Sequence, residues 1–431
     1  MNVLYLHCHD AGRYLAPWKD SVPTPNLKKF AEKATVFRQA FCVAPTCSPS
    51  RAALLTGSYP HQCGMTGLAH RGFQLSHPER HLAHFLKEQG FQTALCGIQH
   101  EFSTPPAEIY DEVHSPLGHK GEAWDAANAD WAAQWLSEKK ASPFFLSCGF
   151  FLPHREFPEA DPAIVPTADD LPPSVPDTAE TRTDLARYLT AAKFMDQCCG
   201  KVLKELAEGP HAADTIIVFT TDHGPPFPSM KCTLLERGLG VALMIDYPDN
   251  PQGGRALEGM ASHLDIFPTL CELLNLPSPN WLEGSSLLPL IRGEKTVIHD
   301  ELFAETTFHV GYEPMRSIRT AQYKLIEIFE EDTRPFAANI DPSPSKDAVA
   351  ALGLLERPRA AVRLFDLESD PEESRDLSGL VSFSHLVESL RDRLREWMKQ
   401  TGDPLLFGPI SPPVGATVQS RPTPEAKLSP V

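Results

Sequence analysis

The chain has 431 residues, 42% hydrophobic and 22% charged, with a formal net charge of −17. That length exceeds one small core and asks for a large α/β domain with an appendage. The negative charge argues against nucleic acid and against an anionic membrane surface as partners. No apolar run approaches membrane-spanning length. The ten cysteines have no framework spacing, which favours reduced, buried thiols. An anionic substrate needs a local positive pocket, because the overall field repels it. The opening residues carry no basic region and no cleavage site, so a cytoplasmic location is expected.

Residues 2–8 are apolar and fit a buried parallel strand, followed by His9 and Asp10. Thr24-Pro25 opens a helix predicted over Asn26 to Ala34. Phe41 to Thr46 leads into Cys47-Ser48-Pro49-Ser50-Arg51-Ala52-Ala53-Leu54-Leu55-Thr56-Gly57. Here Pro49 and Ser50 suit a first helical turn, and Gly57 suits a left-handed end cap. Cys47 then sits at a helix N-terminus, where unpaired N–H groups favour an anion and lower a thiol pKa. Arg51 reaches the same anion. The alternative is a buried structural cysteine; the flanking proline and arginine favour the reactive one.

Pro78 to Gln89 is predicted as an amphipathic helix and Phe91 to Gly97 as a strand, with Gln99 and His100 just after it. A helix over Ala123 to Lys139 precedes a strand over Pro143 to Phe150 and then His154. Residues 157–180, rich in Pro and Asp, read as a surface loop. Thr183 to Glu208 is a long helix, and Thr215 to Thr220 a β-branched strand followed by Asp222-His223-Gly224. Val241 to Ile245 reads as a strand and Ser262 to Leu274 as a helix. This alternation predicts an α/β fold, a large mostly parallel or mixed sheet sandwiched by helices. Ligands bind beyond the carboxyl ends of such strands, where Asp10, His100, His154 and Asp222-His223 all fall.

From about residue 296 the pattern changes to a smaller C-terminal antiparallel sheet plus helix. Its strands are Glu301 to Glu305, Met315 to Thr320, Tyr323 to Ile328 and Arg363 to Leu367, and its helix is Phe383 to Gln400. The expected organisation is a catalytic domain over 1–295, a small α+β subdomain over 296–401 and a Pro-rich, partly disordered tail over 402–431.

Cys-x-Pro-x-Arg followed by Leu-Leu-Thr-Gly resembles the signature of type I sulfatases of the alkaline phosphatase superfamily. In that family the cysteine is oxidised to formylglycine, so the resemblance makes Cys47 the modified catalytic residue and Arg51 its partner. It implies a divalent metal held by Asp10, Asp222, His223 and residue 47, usually Ca²⁺, with Mn²⁺, Mg²⁺ and Zn²⁺ as alternatives. Asp222-His223 on its own reads equally as metal pair or turn; its place at a strand end beside Asp10 favours metal.

His154 in Pro-His-Arg matches the family's substrate-side histidine, suited to general acid work. Lys231 matches a sulfate-binding lysine, against the plainer reading of a surface lysine. Two positions depart from the pattern. His9 stands where a first aspartate is expected and offers nitrogen in its place. Gly97-Ile98-Gln99-His100 keeps the histidine but loses a lysine, so Gln99 is left as a neutral sulfate contact.

The likeness runs closest to the sulfamidase-like branch, through His61-Gln62-x-Gly64-Met65, Asp222 to Pro228 and Pro314-Met315-Arg316-Ser317. Glu305, His309 and Arg316 are candidate substrate contacts from the small domain. The implied activity is hydrolysis of a sulfate ester or sulfamate of a sugar. One hydroxyl of the hydrated formylglycine attacks sulfur and the other later expels sulfate. A formylglycine-generating enzyme is implied as transient partner. The rivals are a phosphonate or phosphate ester hydrolase of the same superfamily and a catalytically weakened binding protein.

Overall fold

The computed structural model describes residues 1–116 and 118–421. Its strands are β1 (Asn2–Cys8), β2 (Thr35–Phe41), β3 (Gln92–Gly97), β4 (Glu112–His114), β5 (Phe144–Phe150), β6 (Thr215–Thr221), β7 (Gly240–Val241), β8 (Leu243–Asp246) and β9 (Ala256–Ser262) in the first sheet. A second sheet holds β10 (Glu301–Phe308), β11 (Tyr312–Thr320), β12 (Tyr323–Ile328) and β13 (Val362–Asp366).

β1 lies at the centre because both its faces are apolar. Val3 and Tyr5 enter one core with Leu54, Leu86 and Phe267; Leu4, Leu6 and Cys8 enter another with Leu27, Trp135 and Met195. A strand buried on both faces needs helices on both sides of its sheet. The helices Cys47–Thr56, Leu82–Glu88 and Ile266–Leu273 cover the first face. Pro25–Ala31, Glu122–Ser137 and Ala179–Glu208 cover the second. The first sheet runs β4-β3-β5-β1-β6-β8-β2-β7, with β9 beside β2. Strands β3, β5, β1 and β6 are neighbours and parallel, so their carboxyl ends finish together.

The antiparallel sheet runs β10-β11-β12-β13. The helix Ser384–Gln400 lays Leu390, Leu394 and Trp397 onto Ile318, Leu325 and Leu364. From the same sheet, Ala304, Met315 and Ile326 join the core that holds Val3 and Tyr5. The two sheets therefore share apolar surface. No helix among the described residues is long and apolar enough to cross a membrane.

Several elements differ from the sequence expectation. The first helix stops at Ala31, since the chain must turn at Glu32-Lys33 to start β2. β2 itself was hidden by Arg38 and Gln39, which break its apolar run. The expected helix over Pro78 to Gln89 splits at His81. That residue is extended, and its ring accepts from the amide of Ala83 to cap a separate helix. Ser262 ends β9 and caps a 3₁₀ turn before the helix over 266–273. The strand expected over 241–245 is broken at Ala242, whose amide donates to Gly12 O. The small domain carries a further helix, Pro344–Ala351.

The tail is more ordered than its composition implies. Gln419 bridges to Gly311, and Arg421 pairs with Glu330 at 2.9 Å. The rest of the tail, 422–431, lies outside the described residues. All ten cysteines are free and buried.

Candidate active site at the carboxyl ends of the parallel strands

The helix Cys47–Thr56 begins at Cys47 and ends on Gly57, whose φ of 67° is the left-handed conformation glycine adopts without strain. Every residue of this helix is buried. Ser50 Oγ donates to Asp222 O at 2.5 Å, fastening the helix to the loop after β6. The amide of Cys232 donates to Pro45 O at 2.8 Å, which fastens the Lys231 loop to the segment before Cys47. Gly12 lets the loop after β1 come close: a Cβ there would lie 2.9 Å from Gly224 Cα and from Gly240 O.

Asp222 is the hub. Its Oδ1 accepts from the amides of Asp10 and His223, both at 2.9 Å, and its Oδ2 lies 3.1 Å from Arg51 Nη2. His9 Nδ1 lies 2.9 Å from Asp222 Oδ2, and His223 Nε2 lies 3.4 Å from Asp10 Oδ1 and 3.4 Å from Cys47 Sγ. His223 Nδ1 faces Gly224 O at 2.9 Å, so that nitrogen carries the proton and Nε2 points into the cluster. Lys231 Nζ donates to Asp10 Oδ2 at 2.9 Å. His154, partly exposed, sits on the open side, its Nε2 3.9 Å from Asp10 Oδ2 and its ring edge-on to His9.

The electrostatics follow from burial of this many charges together. Burial pushes the Cys47 thiol up, but Lys231 and His223, with contacts from His100 and His154, outweigh it and hold the thiol well below its usual value. Burial works against charge on His223, yet Asp222 and Cys47 hold it at about 9. Burial and Arg51 push His9 down, while Asp222 and Asp10 hold it at about 10. Burial lowers His100 to about 3, leaving a neutral imidazole beside the thiol.

These residues fit a divalent cation. Ligand atoms of His9, Asp10, Cys47 and Asp222 lie within 4.8 Å of one another. Nε2 of His9 and Oδ1 of Asp10 are buried with no hydrogen-bond partner, which normally costs free energy. Carboxylates with imidazole nitrogens suit a hard or borderline ion.

The remaining expected residues divide. His309, just past β10, is buried, and burial together with the Lys231 charge lowers it to about 4. Gln99 is turned into its own loop, its amide spent on both backbone groups of Phe102. Glu305 and Arg316 do not reach the site. They sit opposite one another on β10 and β11 and are at most 1% exposed, in an ion network with His61 and Asp403. Only the strand register, which residue spacing does not give, sends both inward. Ile98 is buried where the family pattern has lysine.

Sequence reading missed three features. His7 Nδ1 accepts from Arg51 Nη1 at 2.6 Å and its Nε2 donates to Ser147 Oγ at 3.2 Å, orienting the guanidinium. Strand alternation places His7 on the side of Val3 and Tyr5, the face that Arg51's helix covers, and that was its available signal. Lys120, over the Phe151 ring, and His70, beside His100, stand at the rim. Asp341 pairs with Lys231 across 110 residues, and nothing local marks it.

Comparison with known proteins follows the same lines. Residues 2–276 match the family described as Sulfatase, and residues 230–348 match N-sulphoglucosamine sulphohydrolase, C-terminal. The chain is 30% identical to the human (Homo sapiens) N-sulphoglucosamine sulphohydrolase, over 95% of this chain and 92% of that protein. It is 24% identical to an ulvan-active sulfatase of Formosa agariphila, over 93% and 75%. Among solved structures, a 2-O GAG sulfatase superposes with a TM-score of 0.75 at 20% identity, covering 94% of this chain and 93% of that one. A protein solved with its substrate D-glucosamine-2-N,6-O-disulfate gives 0.74 at 18%, covering 93% and 98%. The chain belongs to the sulfatase family, and is a hydrolase of sulfate esters or sulfamates.

Proposed function

We propose that this sulfatase acts on a sulfated sugar, with an amino sugar sulfate or sulfamate the best candidate, through a formylglycine made from Cys47. The observation that carries the reading is the convergence of His9-Asp10, His100, His154 and Asp222-His223 at four adjacent strand ends around Cys47. The substrate class is supported by the human relative's name and its 30% identity over nearly the whole chain.

Asp10, Asp222, His9 and His223 would hold a divalent cation, which supplies Lewis-acid charge to the sulfate and to the group at residue 47. Formylglycine supplies a regenerable oxygen nucleophile, and its formation requires a formylglycine-generating enzyme. The chain's own groups do the rest. Arg51, fixed by His7, Cys8 O and Asp222, lends charge from beneath residue 47. Lys231 lends charge from the side of Asp10 and binds sulfate oxygens. His100, neutral and beside residue 47, takes a proton there. His154, on the open side, gives one to the leaving oxygen or nitrogen.

The test is turnover by protein co-expressed with a formylglycine-generating enzyme. Glucosamine N-sulfate and p-nitrophenyl sulfate are expected to be hydrolysed in preference to p-nitrophenyl phosphate. A preference for the phosphate would support the phosphate ester hydrolase reading instead.

A further inference from the structure

Lys231 makes a second ion pair that the reaction does not require. Its Nζ lies 2.9 Å from Asp10 Oδ2 and 3.2 Å from Asp341 Oδ2. The Asp10 side chain is wholly buried, whereas Asp341 keeps 22% of its side-chain surface exposed and so lies on the open side of the lysine.

The position is built. Asn339 Oδ1 accepts from the amides of Val310 and Gly311 at 3.0 and 2.9 Å, and its Nδ2 donates to Glu313 Oε2 at 3.0 Å. Ser343 Oγ donates to Asp341 O at 3.2 Å, and Lys346 Nζ to Ile340 O at 2.8 Å. These bonds tie Asp341 to the turn that carries His309, whose Nδ1 is buried without a partner. The C-terminal domain thus delivers a carboxylate to the open side of the sulfate-binding lysine, held against the turn that carries a buried imidazole.

A carboxylate there opposes the binding of a bare anion, since it neutralises part of the lysine's charge and repels sulfate. It becomes favourable when the substrate brings its own hydrogen-bond donor. We propose that Asp341 is a specificity-determining residue. Its carboxylate accepts from a hydroxyl or ammonium group on the sugar ring beside the sulfated position, with His309 alongside. It selects against substrates with a second anionic group at that place. The proposal rests on the sulfatase reading above.

The experiment compares wild type, Asp341→Asn and Asp341→Ala on glucosamine N-sulfate and on p-nitrophenyl sulfate, whose ring offers no donor. The ratio of the sugar kcat/KM to the aryl kcat/KM is expected to fall about 10- to 100-fold, the scale of a lost hydrogen bond to a charged group. Calorimetric affinity for inorganic sulfate is expected to rise in the isosteric Asp341→Asn variant. An unchanged ratio in that folded variant, or sulfate affinity that stays the same or weakens, overturns the proposal and leaves Asp341 only a support for Lys231. A wild type that hydrolyses neither sulfate would sink the sulfatase reading, and this proposal with it.

Discussion

At the scale of single residues, the site is a cluster of buried charges whose sum decides what else it binds. His9 is the telling substitution, because it places nitrogen where the family pattern has a carboxylate. Ligand charge sets the affinity of an oxygen-rich site for Ca²⁺. His9→Asp is therefore expected to tighten Ca²⁺ binding by about tenfold or more in isothermal titration calorimetry. Unchanged affinity would place residue 9 outside the cation site. Cys47, Arg51, Asp10, Asp222 and His154 were legible because each lies in a short motif or at a strand end. His7 and Asp341 were not, because their meaning lies in one contact to a residue far along the chain.

At the scale of elements, strand register explains what spacing did not. Glu305 and Arg316 look like substrate contacts in a list of polar residues. As directly paired strand residues they close an internal network: Arg316 meets Glu305 at 3.1 Å and Asp403 at 2.5 Å, and His61 meets Glu305 at 3.0 Å. Removing one charge from such a network strands the others. Arg316→Met is expected to cost about 3–5 kcal/mol in denaturant unfolding. A stability loss near zero with a raised KM would restore it to the substrate site.

The same network gives a pH signature. Burial pulls His61 down, but Glu305 outweighs it and raises its pKa. Burial pushes Glu305 up, but His61 and Arg316 hold it at about 2. The imidazolium's contribution is full below about pH 6.5 and is lost as pH rises through the raised folded value. The carboxylate's contribution is full above about pH 4.5 and is lost as pH falls toward 2. His61→Gln is expected to flatten the decline of Tm above about pH 6.5 relative to wild type. Parallel profiles would contradict the assignment.

At the scale of the molecule, one sheet positions the site and the C-terminal domain adds Asp341 beside Lys231. The broad α/β plan was legible because buried parallel strands are apolar throughout and alternate with helices. Strands β2 and β9 were not, because their polar positions interrupt that pattern. Ala304, Met315 and Ile326 share a core with Val3 and Tyr5, so the small sheet is expected to unfold with the large one. Calorimetry should record a single transition, and two well-separated transitions would contradict the shared core. The ends of four adjacent parallel strands converge on residue 47, whose chemistry is the central claim. The most direct measurement is the mass of the peptide containing residue 47, from protein made alongside a formylglycine-generating enzyme. The expected value is about 18 Da below the cysteine form, for conversion of the thiol-bearing carbon to an aldehyde. An active enzyme whose residue 47 is entirely unmodified cysteine would contradict the account.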